Sequence, residues 1–126
     1  MPCSPYVTCV YLMKLTFVEL PAFGRYREDY LDDDEYRKLQ AELLAHPTAG
    51  DVIKGTGGLR KLRFGNSKRG KGKRGGIRVI YYYWVSGWQV WLFTLYGKDE
   101  MDDLSNDDRR ELASALNAEV TLRNHK

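Results

Sequence analysis

Two nearly unbroken apolar runs, Ile77–Val85 and Trp88–Tyr96, stand on either side of the dipeptide Ser86-Gly87. Runs of this length, rich in Val, Ile, Tyr and Trp and split by a two-residue turn signal, read as a β-hairpin. Neither run alternates polar with apolar. Both strands are therefore expected in the middle of a sheet, with both faces covered. Arg78 is the one charge inside them, and a charge flanked by Ile77, Val79 and Ile80 requires a partner or a purpose. The Tyr81-Tyr82-Tyr83-Trp84 run is read mostly as core.

The cover for such a hairpin must come from amphipathic elements elsewhere. Met13–Glu19 has the period-two alternation of a first strand. Pro21 suits the first turn of a helix running to about Tyr30, with Phe23, Tyr26, Tyr30 and Leu31 on one face. Asp32-Asp33-Asp34-Glu35 opens a second helix, its carboxylates matched to the positive helix end. Tyr36, Leu39, Leu43 and Leu44 form its stripe, and His46-Pro47 closes it. A turn-rich link, Gly50–Gly58, leads to a strand over Leu59–Phe64. Ser105 and Asp108 fit a capping box for a last helix with Leu112, Ala113, Leu116 and Val120 as its stripe. The expected order is β-α-α-β-β-β-α: an α+β domain with a small, mainly antiparallel sheet packed by helices.

At 126 residues, 43% of them hydrophobic, the chain suits a single domain with a small core. Residues 1–12 differ in character and are read as a leader or extended start with no assigned function, leaving 13–126 as the domain. No run approaches the roughly 18 apolar residues of a membrane span. Cys3 and Cys9 are the only cysteines, too few for a disulfide framework or a four-thiolate zinc site. Free thiols without an export signal suit a reducing cytoplasm. His46 at a helix end and His125 in the tail are poor material for a Ser-His-Asp triad or a histidine metal site. No metal or cofactor is expected, and any catalyst must draw on Lys, Arg, Tyr or carboxylates.

Charge is sharply segregated. Between Gly58 and Arg78 stand nine bases and no acid: Arg60, Lys61, Arg63, Lys68, Arg69, Lys71, Lys73, Arg74 and Arg78. The whole-chain net of +3 conceals this block. Clustered cations bind polyanions by releasing counterions, so the block points to nucleic acid. Its bland reading is a solvated loop. Gly65-x4-Gly70-Lys71 imitates a phosphate-binding loop. Gly72, however, stands where Ser or Thr must hold magnesium, and a strand follows in place of a helix.

The stronger constellation is distributed. Residues two apart on a strand share a face, so Lys61 and Arg63 project together. If the strands pair, Arg78, Tyr96 and Lys98 join them in one cationic cleft. Such a cleft could hold an RNA phosphate beside its own 2′-hydroxyl, with the cations stabilising the pentacovalent transition state. Tyr82 or Tyr96 could stack on a base. Equally, Lys61 and Arg63 read as solvent-side residues of an amphipathic strand, and Lys98 as a partner of Asp99 or Glu100.

Three blocks, Gly55–Lys61, Lys71–Tyr82 (KGKRGGIRVIYY) and Tyr96–Leu104 (YGKDEMDDL), closely resemble the RelE/HigB superfamily of bacterial toxins, in particular its HigB-type branch. The resemblance runs from Met13 to about Leu116, with the blocks in family order. It implies a RelE-like microbial RNase fold and a toxin that enters the ribosomal A site. There it would cleave the codon by 2′-hydroxyl attack without a metal. By position, Lys61 and Arg63 match strand cations of the family, one of them the base, and Arg78 matches the arginine gripping the scissile phosphate. Lys98 lies beside the place where relatives carry an arginine acting as acid. That place is Asp99 here, and the family's downstream tyrosine falls near Ser105. Lys98 is thus the expected acid, with Tyr96 behind it. Arg60, Lys68, Arg69, Lys71, Lys73 and Arg74, with Tyr82 and Tyr96, are the expected RNA contacts. The implied partners are a cognate antitoxin, the 70S ribosome with mRNA, and operator DNA only through the antitoxin complex. A second reading keeps the binding and drops the chemistry: an RNA- or ribosome-binding module that blocks translation by occupancy.

Overall fold

The two apolar runs pair as antiparallel neighbours inside a five-stranded sheet. In the computed structural model, which describes residues 15–65, 76–84, 86, 88–98 and 103–124, the elements are β1 (Thr16–Glu19), α1 (Pro21–Tyr30), α2 (Asp33–Ala45), β2 (Asp51–Val52), β3 (Arg60–Phe64), β4 (Ile77–Trp84), β5 (Gln89–Gly97) and α3 (Asn106–Asn124). The strand order is β1-β5-β4-β3-β2. β1 lies parallel to β5, and every other pairing is antiparallel. This is the expected mainly antiparallel α+β architecture, with one strand more than the sequence suggested. β2 has only two residues, both exposed, so it leaves no apolar pattern to detect.

Helices cover both faces, as the continuous apolar strands require. On one face Phe23 and Leu31, with Leu39 and Leu43 of α2, pack on Leu62, Phe64, Ile77, Val79 and Tyr81. On the other, Leu116 of α3 closes over Ile80, Trp91, Phe93 and Tyr96. The α1–α2 junction is fixed by Arg27, which donates to Leu31 O and Asp33 Oδ1, each at 3.1 Å, and stacks over the Tyr36 ring. The helix starts form as their sequences dictate. Asp32 Oδ1 accepts from Glu35 N at 2.8 Å. Ser105 and Asp108 cap each other reciprocally, Asp108 N to Ser105 Oγ at 3.0 Å and Ser105 N to Asp108 Oδ2 at 3.1 Å.

One irregularity matters for the site. Ile80 is paired with Thr94 and Tyr81 with Leu92, which leaves Phe93 as the extra residue of a bulge. Before the bulge Trp91 and Phe93 face α3; after it Thr94 and Tyr96 do, while Leu95 joins the opposite core. A bulge shifts the side-chain alternation by one. Without it, Tyr96 would point into the α1–α2 layer.

Candidate functional site

Three side chains form a row across the α3 face of the sheet. Arg63 of β3 is paired with Arg78 of β4, and Arg78 with Tyr96 of β5. Lys61 lies on the same face two residues before Arg63, about 6.6 Å along the strand. Pairing of β3 with β4 thus brings Lys61, Arg63, Arg78 and Tyr96 together. Arg63 is exposed, whereas Arg78 is 4% exposed and has an interaction of its own. Lys98 follows the end of β5, where its N–H donates to Gly76 O at 3.0 Å.

Tyr96 is 6% exposed, and its hydroxyl is buried with no hydrogen-bond partner among the described residues. Burial pushes the phenol above its ordinary value, and the Asp103 carboxylate adds to the rise. The Arg78 charge opposes it. The phenol therefore stays protonated at neutral pH and can act as a donor. Buried this far, the ring has no open face for a base. Tyr82 is half-buried, tilted against Trp91 at 5.2 Å between centroids, and lies four residues, about 13 Å, along β4 from Arg78.

Arg60 is separated from this set. It pairs with Tyr81, on the other face of the sheet. There its guanidinium donates to Gly50 O at 2.7 Å and to Thr48 O at 3.3 Å. Tyr81 holds the same turn, donating to Pro47 O at 2.8 Å and accepting from Gly50 N at 3.0 Å. Arg60 serves as a clamp on the α2–β2 connection. Lys68, Arg69, Lys71, Lys73 and Arg74 lie outside the described residues.

Two residues with no role assigned from the sequence complete the arrangement. Asp103, on the connection from β5 to α3, places Oδ1 3.3 Å from Lys61 Nζ and Oδ2 3.6 Å from an Arg109 nitrogen. Its Oδ1 also accepts from Leu104 N at 2.8 Å. That backbone bond, then Lys61 and Arg109, hold the carboxyl below its ordinary value. Arg109 Nε is buried without an acceptor among the described residues. A signal for Arg109 did exist: a base in the first turns of a helix opposes the helix dipole, so its position asks for another reason.

Two recesses flank the row. The larger, about 420 Å³, lies between α1, β5 and α3 and is lined chiefly by apolar groups of Tyr26, Tyr30, Phe93 and Leu112. It offers nothing to hold a phosphate. The smaller, about 230 Å³, is bounded by Lys54, Lys61, Arg63 and Arg109, with Asp51 and Asp103 as its acids. Anion chemistry belongs there. No group of three or more His, Cys, Asp or Glu suited to a metal ion occurs among the described residues. None of the described helices is long and apolar enough to cross a membrane.

No family model matches the chain. Among solved structures it is similar to a double arginine-to-alanine mutant of the E. coli toxin RelE in the free state. The identity is 16%, the overlap covers 70% of this chain and 87% of that one, and the TM-score is 0.47. A likeness at that level assigns no residue and no activity.

Proposed function

We propose that this chain is a RelE/HigB-type toxin, an endoribonuclease that cuts mRNA in the ribosomal A site and so stops translation. The observation that carries the reading is the Arg63–Arg78–Tyr96 row, in which a nearly buried arginine lies between an exposed arginine and a protonated phenol. It is supported by the sequence blocks that resemble the superfamily. In the reaction, the 2′-oxygen attacks the adjacent phosphorus and the bond from phosphorus to the 5′-oxygen breaks. The products are a 2′,3′-cyclic phosphate and a 5′-hydroxyl. Arg63 and Arg78 oppose the charge that grows on the phosphoryl oxygens, a fixed arrangement that needs no reorganisation. Lys61 stands beside them as a further positive charge along the RNA, and the 2′-hydroxyl gives up its proton to water at the exposed side of Arg63. The leaving 5′-oxygen must gain a proton, and Tyr96, protonated and without an acceptor among the described residues, joins Lys98 as its source once bound RNA uncovers its hydroxyl. A cognate antitoxin, the 70S ribosome and a cytoplasmic setting belong to the same reading.

The test is cleavage of a defined mRNA on programmed 70S ribosomes, mapped by primer extension, with free mRNA and Arg78→Ala as controls. Cuts inside the A-site codon, present only with ribosomes and lost in the variant, are the expected result. Ribosome binding without cuts would leave a protein that blocks translation by occupancy.

A further inference from the structure

We propose that Lys61 and Arg109 form a second phosphate site, next to the scissile one, and that the Asp103 carboxylate holds its place until RNA displaces it. The inference rests on the ribonuclease reading above and adds a ligand and two residues to it.

The geometry of the three groups favours displacement over a permanent tie. Asp103 is the outermost, its side chain 57% exposed against 21% for Lys61 and 34% for Arg109. Its contacts, 3.3 Å and 3.6 Å, are at the long end for charged groups and engage one oxygen each. Pairs this open hold their partners by about fivefold at most. The carboxylate leaves Arg109 Nε without an acceptor among the described residues. A phosphodiester can meet Lys61 and the terminal nitrogens of the Arg109 guanidinium at once, as planar recognition by arginine prefers. The surrounding recess holds four bases against two acids, so an anion entering it meets net positive charge even before Asp103 moves.

The position fits a neighbouring phosphate and not the reacting one. Lys61 lies about 6.6 Å along β3 from the Arg63 row, and Arg109 reaches it from α3, across Asp103. A strand of RNA laid over the α3 face would place one phosphate at Arg63 and Arg78 and the next at Lys61 and Arg109. The swap also releases Lys61 from its carboxylate only when RNA is present.

The experiment measures binding of a 2′-O-methyl RNA hexamer, which cannot be cleaved, to the full chain by fluorescence anisotropy at several salt concentrations. Asp103→Asn is expected to bind about fivefold tighter. Asp51→Asn, which removes the same charge from the same recess, opposite Lys61 on the β2–β3 ladder but with no ion pair to Lys61 or Arg109 among the described residues, is expected to stay within about twofold. Arg109→Gln should weaken binding and flatten the salt dependence by about 0.7 in slope, the loss of one phosphate contact. Adding Asp103→Asn to it should then restore little. If Arg109→Gln does not fold, Arg109→Lys keeps the charge and loses the fork, and weaker binding by that variant supports the site. Equal gains from Asp103→Asn and Asp51→Asn would reduce the effect to net charge and overturn the proposal. So would weaker binding by Asp103→Asn, which would make the carboxylate a fixed support for Lys61. The ribosome assay on the wild-type chain runs in parallel. Binding as expected without cleavage would sink the nuclease reading alone, and cleavage with no Asp103 effect would sink this inference alone.

Discussion

Arg63 and Arg78 lie directly opposite each other across the β3–β4 ladder. Like charges so placed destabilise a sheet, and one of the pair is 4% exposed, where desolvation adds to the cost. The neighbours Ile77, Val79 and Ile80 are fully buried and apolar, so packing alone would favour another aliphatic side chain at position 78. The proposed function gives two guanidiniums at one point a use. A dianionic transition state is what two adjacent guanidiniums can serve.

Stability and activity should respond to different degrees at position 78. Arg78→Met keeps about the same volume and removes the repulsion, but it also gives up the interaction Arg78 makes, so its unfolding free energy is expected to fall by up to about 3 kcal/mol. Ribosome-dependent cleavage should fall at least about 100-fold, the usual loss when a donor to a transition-state oxyanion is removed. Urea titration and single-turnover cleavage on the same preparation check both. A variant that cuts normally would remove Arg78 from the chemistry.

Tyr96→Phe isolates a hydroxyl that has no hydrogen-bond partner among the described residues. A buried polar atom without a partner costs about 1–3 kcal/mol, so its removal is expected to leave the protein equal or more stable by about 1 kcal/mol. If the phenol protonates the 5′-oxygen, the rate should drop about 100-fold. Stabilisation with full activity would assign the proton to Lys98.

Arg60 and Arg63, three residues apart, should behave oppositely. Arg60→Ala removes a charged donor from Gly50 O and Thr48 O and is expected to cost about 1.5–3 kcal/mol, with cleavage per folded molecule unchanged. Arg63→Ala should shift stability by less than about 0.5 kcal/mol and abolish most activity. Thermal melts and cleavage rates normalised to folded protein decide. Equal loss of activity in both would place Arg60 in the RNA path after all.

How legible was this in the sequence? Local signals sufficed for the Asp32 cap, the Ser105–Asp108 box and the hairpin, because each is written in residues adjacent in the chain. Arg60 shows where such reasoning stops. Leu59, Leu62 and Phe64 do not keep a strict period of two, so the face to which each base belongs was undetermined until β3 found its register with β4. The bulge at Phe93 gave no warning either, since Trp91, Leu92, Phe93 and Leu95 are apolar on both faces, yet it decides that Tyr96 meets Arg78. Asp103 reaches Lys61 across 42 positions. No local pattern encodes that approach.

Two buried tyrosines should make the protein sensitive to alkali. Burial is the first cause that raises both Tyr81 and Tyr96, whereas an unfolded tyrosine ionises near pH 10. The sign follows from proton counting. Above about pH 10 the unfolded chain has released these protons and the folded chain still holds them, so stability falls as pH rises, by about 1.4 kcal/mol per unit for each group until its folded value is reached. Below about pH 9 neither contributes a slope. Lysines also titrate in this window, so the variants carry the test. Urea midpoints at pH 8 to 11 should decline less steeply in Tyr96→Phe than in the wild type. Tyr81→Phe should flatten the slope as well, but from a lower starting stability, because it also loses the bonds to Pro47 O and Gly50 N. Identical slopes in all three proteins would show that neither phenol is held protonated by the fold.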